Sequence, residues 1–160
     1  MKKVIIAGSR SFNDYTLLKT ELDKLFSEPF IVVSGGAKGA DSLGEIYAQE
    51  KGYPIERYLA KWNDLSVKNC VIKYNSYGAY NAMAGHNRNQ EMLNAVLNNE
   101  DSGCVVAFWD GKSKGTENIE KKSPFQLFAE LYQQQNGKDM SEEQATFLNG
   151  IIEKVWEGEV

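Results

Sequence analysis

Apolar residues in this chain occur in short uninterrupted runs that are separated by longer mixed segments. Such runs occupy positions 4–7, 31–33 and 104–109, and a further strand is predicted at the mixed segment 55–59, which follows Gly52 and Pro54. None of them alternates regularly between apolar and polar residues, as a half-exposed strand would. The runs therefore predict strands that are buried on both faces of a sheet.

The segments between these strands carry apolar residues at the spacing of helices. Three segments are predicted to be helices: residues 17–26, 40–51 and 87–97. The second would turn Leu43, Ile46 and Tyr47 towards the sheet. Because strands that alternate with helices are typical of βαβ units, the predicted fold is α/β, with a mostly parallel sheet and helices on both faces.

Two parts of the chain depart from this pattern. Within residues 61–85, residues 70–74 predict a short strand, and the stretch rich in Asn, Ser, Gly and Tyr that follows predicts a loop. In the second part, residues 124–135 form an amphipathic pattern, and Ser141 opens a capping box with Gln144. We therefore predict a first domain at residues 1–122 and a helical C-terminal extension at residues 123–160.

The extension ends in an apolar helical stripe that must be buried against some surface. The stripe consists of Leu148, Ile151, Ile152, Val155 and Trp156. Packing on its own domain and packing on a partner subunit fit this pattern equally well. A homo-oligomer is therefore one of the two predicted arrangements.

Composition narrows the class of protein further. The 160 residues carry a net charge of −4, which argues against non-specific binding to nucleic acid, since such binding needs a basic face. Cys70 and Cys104 form no CxxC pair and predict two reduced thiols. Neither a signal-peptide pattern nor a membrane-length apolar stretch is present in the sequence, so we expect a cytoplasmic protein with no membrane partner.

Glycine-rich loops follow three of the four strands. They are Gly8-Ser9-Arg10, Ser34-Gly35-Gly36-Ala37-Lys38-Gly39 and Asp110-Gly111-Lys112-Ser113-Lys114-Gly115-Thr116. The carboxyl ends of parallel strands share one edge of the sheet, so the loops should converge there. Glycine lets backbone N–H groups approach a phosphate, and the start of the next helix adds its dipole. Together the loops predict a nucleotide ligand, although each one alone is equally well a tight turn and none is a Walker motif.

Further polar residues near these loops admit two interpretations each. Asp41 either holds a ribose hydroxyl or suits the dipole of a helix start. Arg88 with Asn89 either clamps a phosphate or simply follows Asn87 as a helix cap. His86 is the single histidine, which excludes a metal site built from several histidines and leaves Ser9 and Ser34 without a histidine-based triad.

Aromatic residues are candidates for stacking on a base, with ordinary packing as the alternative. They are Trp62, Tyr74, Tyr77, Tyr80 and Trp109. Packing is favoured for Trp109, which lies at a strand end.

Four motifs in order resemble one superfamily. They lie at residues 3–12, 33–41, 84–92 and 109–116, and read KVIIAGSRSF, VSGGAKGAD, AGHNRNQEM and WDGKSKGT. As a set they resemble the SLOG superfamily, in the branch related to YspA and YpsA, over about residues 3–118. The superfamily also contains the LOG phosphoribohydrolases and DprA. The resemblance implies a Rossmann-like, doubly wound sheet that binds nucleotides or their derivatives, often in a homo-oligomer.

The resemblance also implies roles for individual residues. LOG enzymes hydrolyse an N-glycosidic bond. They use an arginine that precedes the last glycine loop and a glutamate that belongs to the motif of that loop. Arg88 matches that arginine and Gly115-Thr116 match the Gly-Thr of the loop, whereas Ile119 stands at the glutamate position with Glu117 and Glu120 beside it. Compared with relatives, residues 65–82 resemble an insertion, and residues 123–160 look helical where relatives return to a strand.

Three functions follow from this sequence. The first is binding or sensing of a nucleotide derivative such as NAD, ADP-ribose or a nucleoside monophosphate, with no other cofactor or metal assigned. The second is a LOG-like N-glycosidase with Arg88, Glu117 and Glu120 as catalytic candidates, and the third is a DprA-like DNA-binding module. The predicted ligand-binding residues are Gly8, Ser9, Arg10, Ser34, Gly35, Gly36, Lys38, Gly39, Asp41, Arg88, Asn89, Asp110, Gly111, Ser113, Gly115 and Thr116.

Overall fold

The structure, a computed structural model, describes residues 1–101, 103–109 and 128–132, the last range and Trp109 by their backbone. The main sheet contains β1 (Lys2–Gly8), β2 (Phe30–Ser34), β3 (Ile55–Arg57), β6 (Gly103–Trp109) and β7 (Phe128–Tyr132). A separate hairpin contains β4 (Ile72–Asn75) and β5 (Gly78–Asn81). The helices are α1 (Tyr15–Leu25), α2 (Ala40–Lys51) and α3 (Ala84–Leu97).

The main sheet is parallel throughout and has the strand order β3-β2-β1-β6-β7. β1 is its centre, with Val4 opposite Val32 on one side and opposite Cys104 on the other. Both edges of β1 are therefore paired with a strand, and both of its faces are covered. This is why its apolar run shows no alternation with polar residues.

Two apolar cores lie on the two faces of the sheet. Val4 and Ile6 point into the core beneath α1 and α2, which includes Tyr47. Ile5 and Ala7 point into the other core, beneath α3. Helices thus cover both faces, and the predicted Rossmann-like α/β fold is confirmed.

The helices begin and end largely where local signals place them. The Asp14 carboxylate accepts a hydrogen bond from the Leu17 N–H (3.0 Å) and caps α1. Gly52 ends α2 in the left-handed conformation. The predicted inner face of α2 is wrong at Ile46, which is 42% exposed. The buried face of α2 consists of Ala40, Asp41, Gly44, Tyr47 and Ala48.

The segment between β3 and α3 contains a hairpin, where the sequence predicted a short strand at residues 70–74 followed by a loop. β4 pairs antiparallel with β5, and Gly78 adopts a φ of 112° at the turn. β4 overlaps the predicted strand, whereas the loop prediction was wrong for β5, whose mostly exposed positions carry no buried apolar face that would show in the sequence. α3 begins at Ala84, three residues before its predicted start.

A strand also replaces part of the helix predicted at residues 124–135. β7 pairs with the outer edge of β6, with Val105 opposite Phe128. Pairing satisfies the backbone groups that β6 would otherwise leave open, and a helix at this place could not do so. Residues 133–160, with the capping box and the apolar stripe, lie outside the described residues, and the domain boundary at residue 122 stays a prediction.

No described helix is long and apolar enough to cross a membrane. Cys70 and Cys104 are both free, half-buried thiols.

Candidate functional site

The candidate site lies at the carboxyl ends of β1 and β2, beside the end of β6. The helices that follow β1 and β2 cover one face of the sheet, and the helix that precedes β6 covers the other. The chain therefore changes direction between β1 and β6, where Gly8 lies opposite Phe108. In open α/β sheets a crevice forms at such a point, and ligands bind in it.

Two of the three glycine loops meet there, as predicted. The Ala40 N–H, at the start of α2, donates to the Ser9 carbonyl (3.4 Å). Gly39 has a φ of 79°, and a Cβ on it would lie 2.2 Å from that same carbonyl oxygen. A Cβ on Gly8 would lie 2.3 Å from the Phe108 carbonyl oxygen. These two glycines are required by close backbone approach, which is the turn interpretation of the loops.

The interior of the second loop is filled by the chain's own oxygen atoms. The Gly36 N–H donates to the Ser34 hydroxyl (3.1 Å), and the Ala37 N–H donates to the Asp41 carboxylate (3.3 Å). The N–H groups of Lys38 and Gly39 find no acceptor within the part of the chain that the structure describes. An incoming anion would therefore meet Lys38 and Gly39 at the start of α2, and not the two glycines before them.

Asp41 is a carboxylate that the fold removes from water. It is 7% exposed, and this burial raises its pKa to about 6. The Ala37 N–H and the charge of Arg88 both oppose the rise. Asp41 therefore closes the loop from within, and its predicted contact with a ribose hydroxyl stays a prediction.

Arg88 joins α3 to this loop across the crevice. Its Nη1 donates to the Gly35 carbonyl (2.5 Å), and its Nε donates to Oδ1 of the buried Asn89 (3.0 Å). A Cβ on Gly35 would lie 2.5 Å from Arg88 Nη1 and 2.8 Å from Asp41 Oδ2. Gly35 thus allows the two charged groups to approach each other. Burial lowers the pKa of Arg88, and nearby Arg10 lowers it further while Asp41 raises it.

Two residues that the sequence did not single out support the loop from behind. Arg57, the last residue of β3, donates two hydrogen bonds to the Glu45 carboxylate (2.8 and 2.7 Å). This pairing is the main reason that the pKa of Glu45 lies below its usual range. A hydrogen bond from Ser34 lowers the pKa further. The available signal was the helical spacing, because Glu45 lies four residues after Asp41 and so faces the same side of α2.

The remaining predicted residues divide into three groups. Ser9 is buried, whereas Arg10, Lys38 and His86 are exposed. Asn87 does not cap α3, because its side chain pairs with Asn69 (2.6 and 3.1 Å). The third loop and its neighbours lie outside the described residues: Asp110, Gly111, Lys112, Ser113, Lys114, Gly115, Thr116, Glu117, Ile119 and Glu120. Among the described residues no group of His, Cys, Asp and Glu could hold a metal ion.

Comparison with known sequences gives two matches. The model of a family described as "YAcAr: YspA, cpYpsA-related SLOG family" matches residues 2–64. The Gene 61 protein of Mycobacterium phage D29 is 30% identical over an alignment of 131 residues, and the match covers 77% of this chain and 89% of the phage protein. The family match covers β1, β2, β3 and the first two glycine loops.

Comparison with solved structures gives one further match. The structure of DNA processing protein A (DprA) from Streptococcus pneumoniae superposes with a TM-score of 0.58 at 14% identity. The aligned region covers 94% of this chain and 56% of that protein, so this chain spans little more than half of DprA. At this identity the likeness concerns the fold alone.

Proposed function

Because the chain belongs to the YspA, cpYpsA-related SLOG family, we propose that it binds a nucleotide or nucleotide derivative at the crevice between β1 and β6. The observation that carries the proposal is the position of Arg88 on the loop that leads into α2. Arginine has five N–H donors, and two of them serve Gly35 and Asn89. Within residues 1–101, 103–109 and 128–132 the other three donate to no acceptor, and we propose that they bind a phosphate beside the N–H groups of Lys38 and Gly39.

The neighbouring residues have distinct roles in this proposal. Arg10 and Lys38 add positive charge at the rim, and Ser9 lines the floor. Asp41 keeps the loop closed and Arg88 in place. The loop at residues 111–116, which lies outside the described residues, is proposed from its sequence alone to contact a second phosphate or the ribose. Ligands with one or two phosphates, such as AMP, NAD and ADP-ribose, fit this set of groups.

Isothermal titration with AMP, NAD, ADP-ribose and cyclic nucleotides tests the proposal. Arg88→Gln should weaken binding of the best ligand about tenfold or more, because hydrogen bonds to a charged group are lost. Lys24→Gln, at an exposed position near the end of α1, is the control and should bind like the unchanged protein. Circular dichroism confirms that both variants are folded. The proposal is wrong if the folded protein binds none of these nucleotides.

Hydrolysis of an N-glycosidic bond in the same crevice is the enzymatic alternative. Arg88 would hold the phosphate, and Glu117 or Glu120 would assist the departure of the base. Release of free base from nucleoside monophosphates, lost in Glu117→Gln or Glu120→Gln, would support it. If the protein binds AMP tightly and releases no base over hours, the hydrolase alternative is wrong and only the binding function remains.

Binding of single-stranded nucleic acid is a second candidate, favoured by the local distribution of charge. The net charge of −4 argues against it, but residues 65–90 contain Lys68, Lys73 and Arg88 and no Asp or Glu. The hairpin in this segment exposes Tyr74 (78%) and Tyr77 (97%). Lysines interleaved with exposed aromatic residues are typical of surfaces on which bases stack.

A gel shift with a single-stranded oligonucleotide at low salt separates this candidate from mononucleotide binding. The double variant Tyr74→Ala, Tyr77→Ala should abolish the shift and leave AMP binding unchanged. An unshifted oligonucleotide with the original protein would remove the candidate.

A further inference from the structure

Residues 59–62 cross the rim of the crevice between the second glycine loop and α3. Leu59 Cδ2 lies 2.6 Å from the place where a Cβ on Gly36 would be. Trp62 meets Gly85, where a Cβ would lie 3.4 Å from Cη2 and 3.8 Å from Cζ2. This short segment therefore contacts both elements that hold Arg88 in position.

The two apolar side chains of this segment remain partly open to solvent. Leu59 is 61% exposed and Trp62 is 40% exposed. Tyr80 of β5 stands edge-on to Trp62, with ring centroids 6.3 Å apart and an interplanar angle of 68°. The Trp62 carbonyl accepts a hydrogen bond from the Asn81 N–H (2.7 Å), which ties the segment to the hairpin. Trp62 is thus held on two sides, by α3 and by β5.

The position of Trp62 relative to the phosphate site follows from the geometry of α3. Gly85 precedes Arg88 by three residues, which places them on one face of the helix about 4.5 Å apart along its axis. Arg88 reaches Gly35, and Leu59 reaches Gly36, the next residue of the loop. The second glycine loop, residues 59–62 and the start of α3 therefore contact one another in turn around one end of the crevice. Trp62 is part of this ring of contacts.

We propose that Trp62, flanked by Leu59 and Tyr80, is the platform on which the aromatic base of the bound nucleotide stacks. The inference rests on the proposed function, because the phosphate must lie at Arg88 and the start of α2. Stacking on an aromatic side chain accepts every base, since each has a π face, so the platform would favour nucleotides over sugar phosphates without selecting one base. It assigns the segment between β3 and α3 to recognition of the base.

Titration of matched ligands with and without a base tests the platform. AMP, GMP, CMP and UMP each carry a base, and ribose 5-phosphate is their common sugar phosphate. Trp62→Ala should weaken binding of the best of the four nucleotides about tenfold or more and leave ribose 5-phosphate within about twofold. Trp62→Phe should restore most of the affinity, because it keeps an aromatic face. Lys24→Gln, at an exposed position near the end of α1, is again the control and should change the affinity for neither ligand.

The outcomes separate failure of the platform from failure of the phosphate site. If Trp62→Ala binds the nucleotide as tightly as the original protein, the platform is wrong and the phosphate site stands. An equal loss for nucleotide and ribose 5-phosphate also overturns the platform, because Trp62 would then act through the phosphate loop. If the original protein binds none of the five ligands, the platform is overturned, whereas the proposed function fails only if NAD, ADP-ribose and cyclic nucleotides do not bind either.

Discussion

Asp41 is a single residue whose ionisable carboxyl group the fold buries, although such a group is normally solvated by water. Its pKa is about 6 in the folded chain against 3.8 for an ordinary aspartate, and burial is the main cause. Between these two values the folded chain binds the proton more tightly than the unfolded chain does. The contribution of Asp41 to stability is therefore largest at low pH and falls as the pH rises through this window.

Replacing Asp41 should remove this dependence on pH. Relative to Asp41→Asn, the original protein should lose about 3 kcal/mol of unfolding free energy between about pH 4 and pH 7, at about 1.4 kcal/mol per pH unit of pKa difference. Urea unfolding of both proteins across that range measures it.

Asp64→Asn is the matched control for that experiment. Hydrogen bonds from the Ser66 side chain and N–H lower the pKa of Asp64, so its contribution runs in the opposite direction. Parallel stability curves for Asp41→Asn and the original protein would show that Asp41 keeps an ordinary pKa.

Gly39 carries a second prediction at this scale. Gly39→Ala should cost about 2–5 kcal/mol, because the left-handed φ is unfavourable and the Ser9 carbonyl lies 2.2 Å from the new Cβ. Gly52 has a similar φ of 72° with nothing within 4 Å, so Gly52→Ala should cost only about 1–2 kcal/mol. Chemical denaturation of both variants gives the difference, and equal losses would show that the contact with Ser9 does not matter.

The hairpin is the element that depends least on an apolar core. Asn81 is 2% exposed, and its Oδ1 accepts hydrogen bonds from the N–H groups of Val71 (3.3 Å) and Met83 (2.9 Å). A buried amide thus fixes both ends of the hairpin. The positions of β4 and β5 are mostly exposed, and β5, which the sequence predicted as a loop, lacks the usual apolar signal of a strand.

Asn81→Ala should therefore loosen the hairpin and leave the main sheet intact. Amide hydrogen exchange of β4 and β5 should accelerate, while β1 and β6 stay protected, because local opening does not require global unfolding. Asn75→Ala removes one exposed hydrogen bond, to the Tyr77 N–H, and should affect the turn alone. Unchanged exchange in β4 and β5 of Asn81→Ala would show that the amide does not hold the hairpin.

The assembly of the whole molecule depends on which surface the C-terminal apolar stripe packs against, its own domain or a partner subunit. The apolar stripe that includes Ile152 and Trp156 has the spacing of a buried helix face. If it packs on a partner subunit, light scattering should give a multiple of 18.0 kDa for the full chain and one chain for the double variant Ile152→Asp, Trp156→Ser. A single-chain mass for the original protein would assign the stripe to packing on its own domain.

The strands of the parallel sheet that are buried on both faces could be predicted from the sequence, because burial imposes continuous apolar runs such as that of β1. The sequence also predicted two of the glycine loops and α2, whose signals are local. That β7 is a strand became clear from the structure alone. Its residues have the apolar spacing of a helix, and that spacing carries no information about the unpaired edge of β6 with which β7 pairs. Likewise, only the structure brought Arg88 onto Gly35 and Asp41 into the loop, because these contacts join residues that are distant in sequence and have no periodic signal.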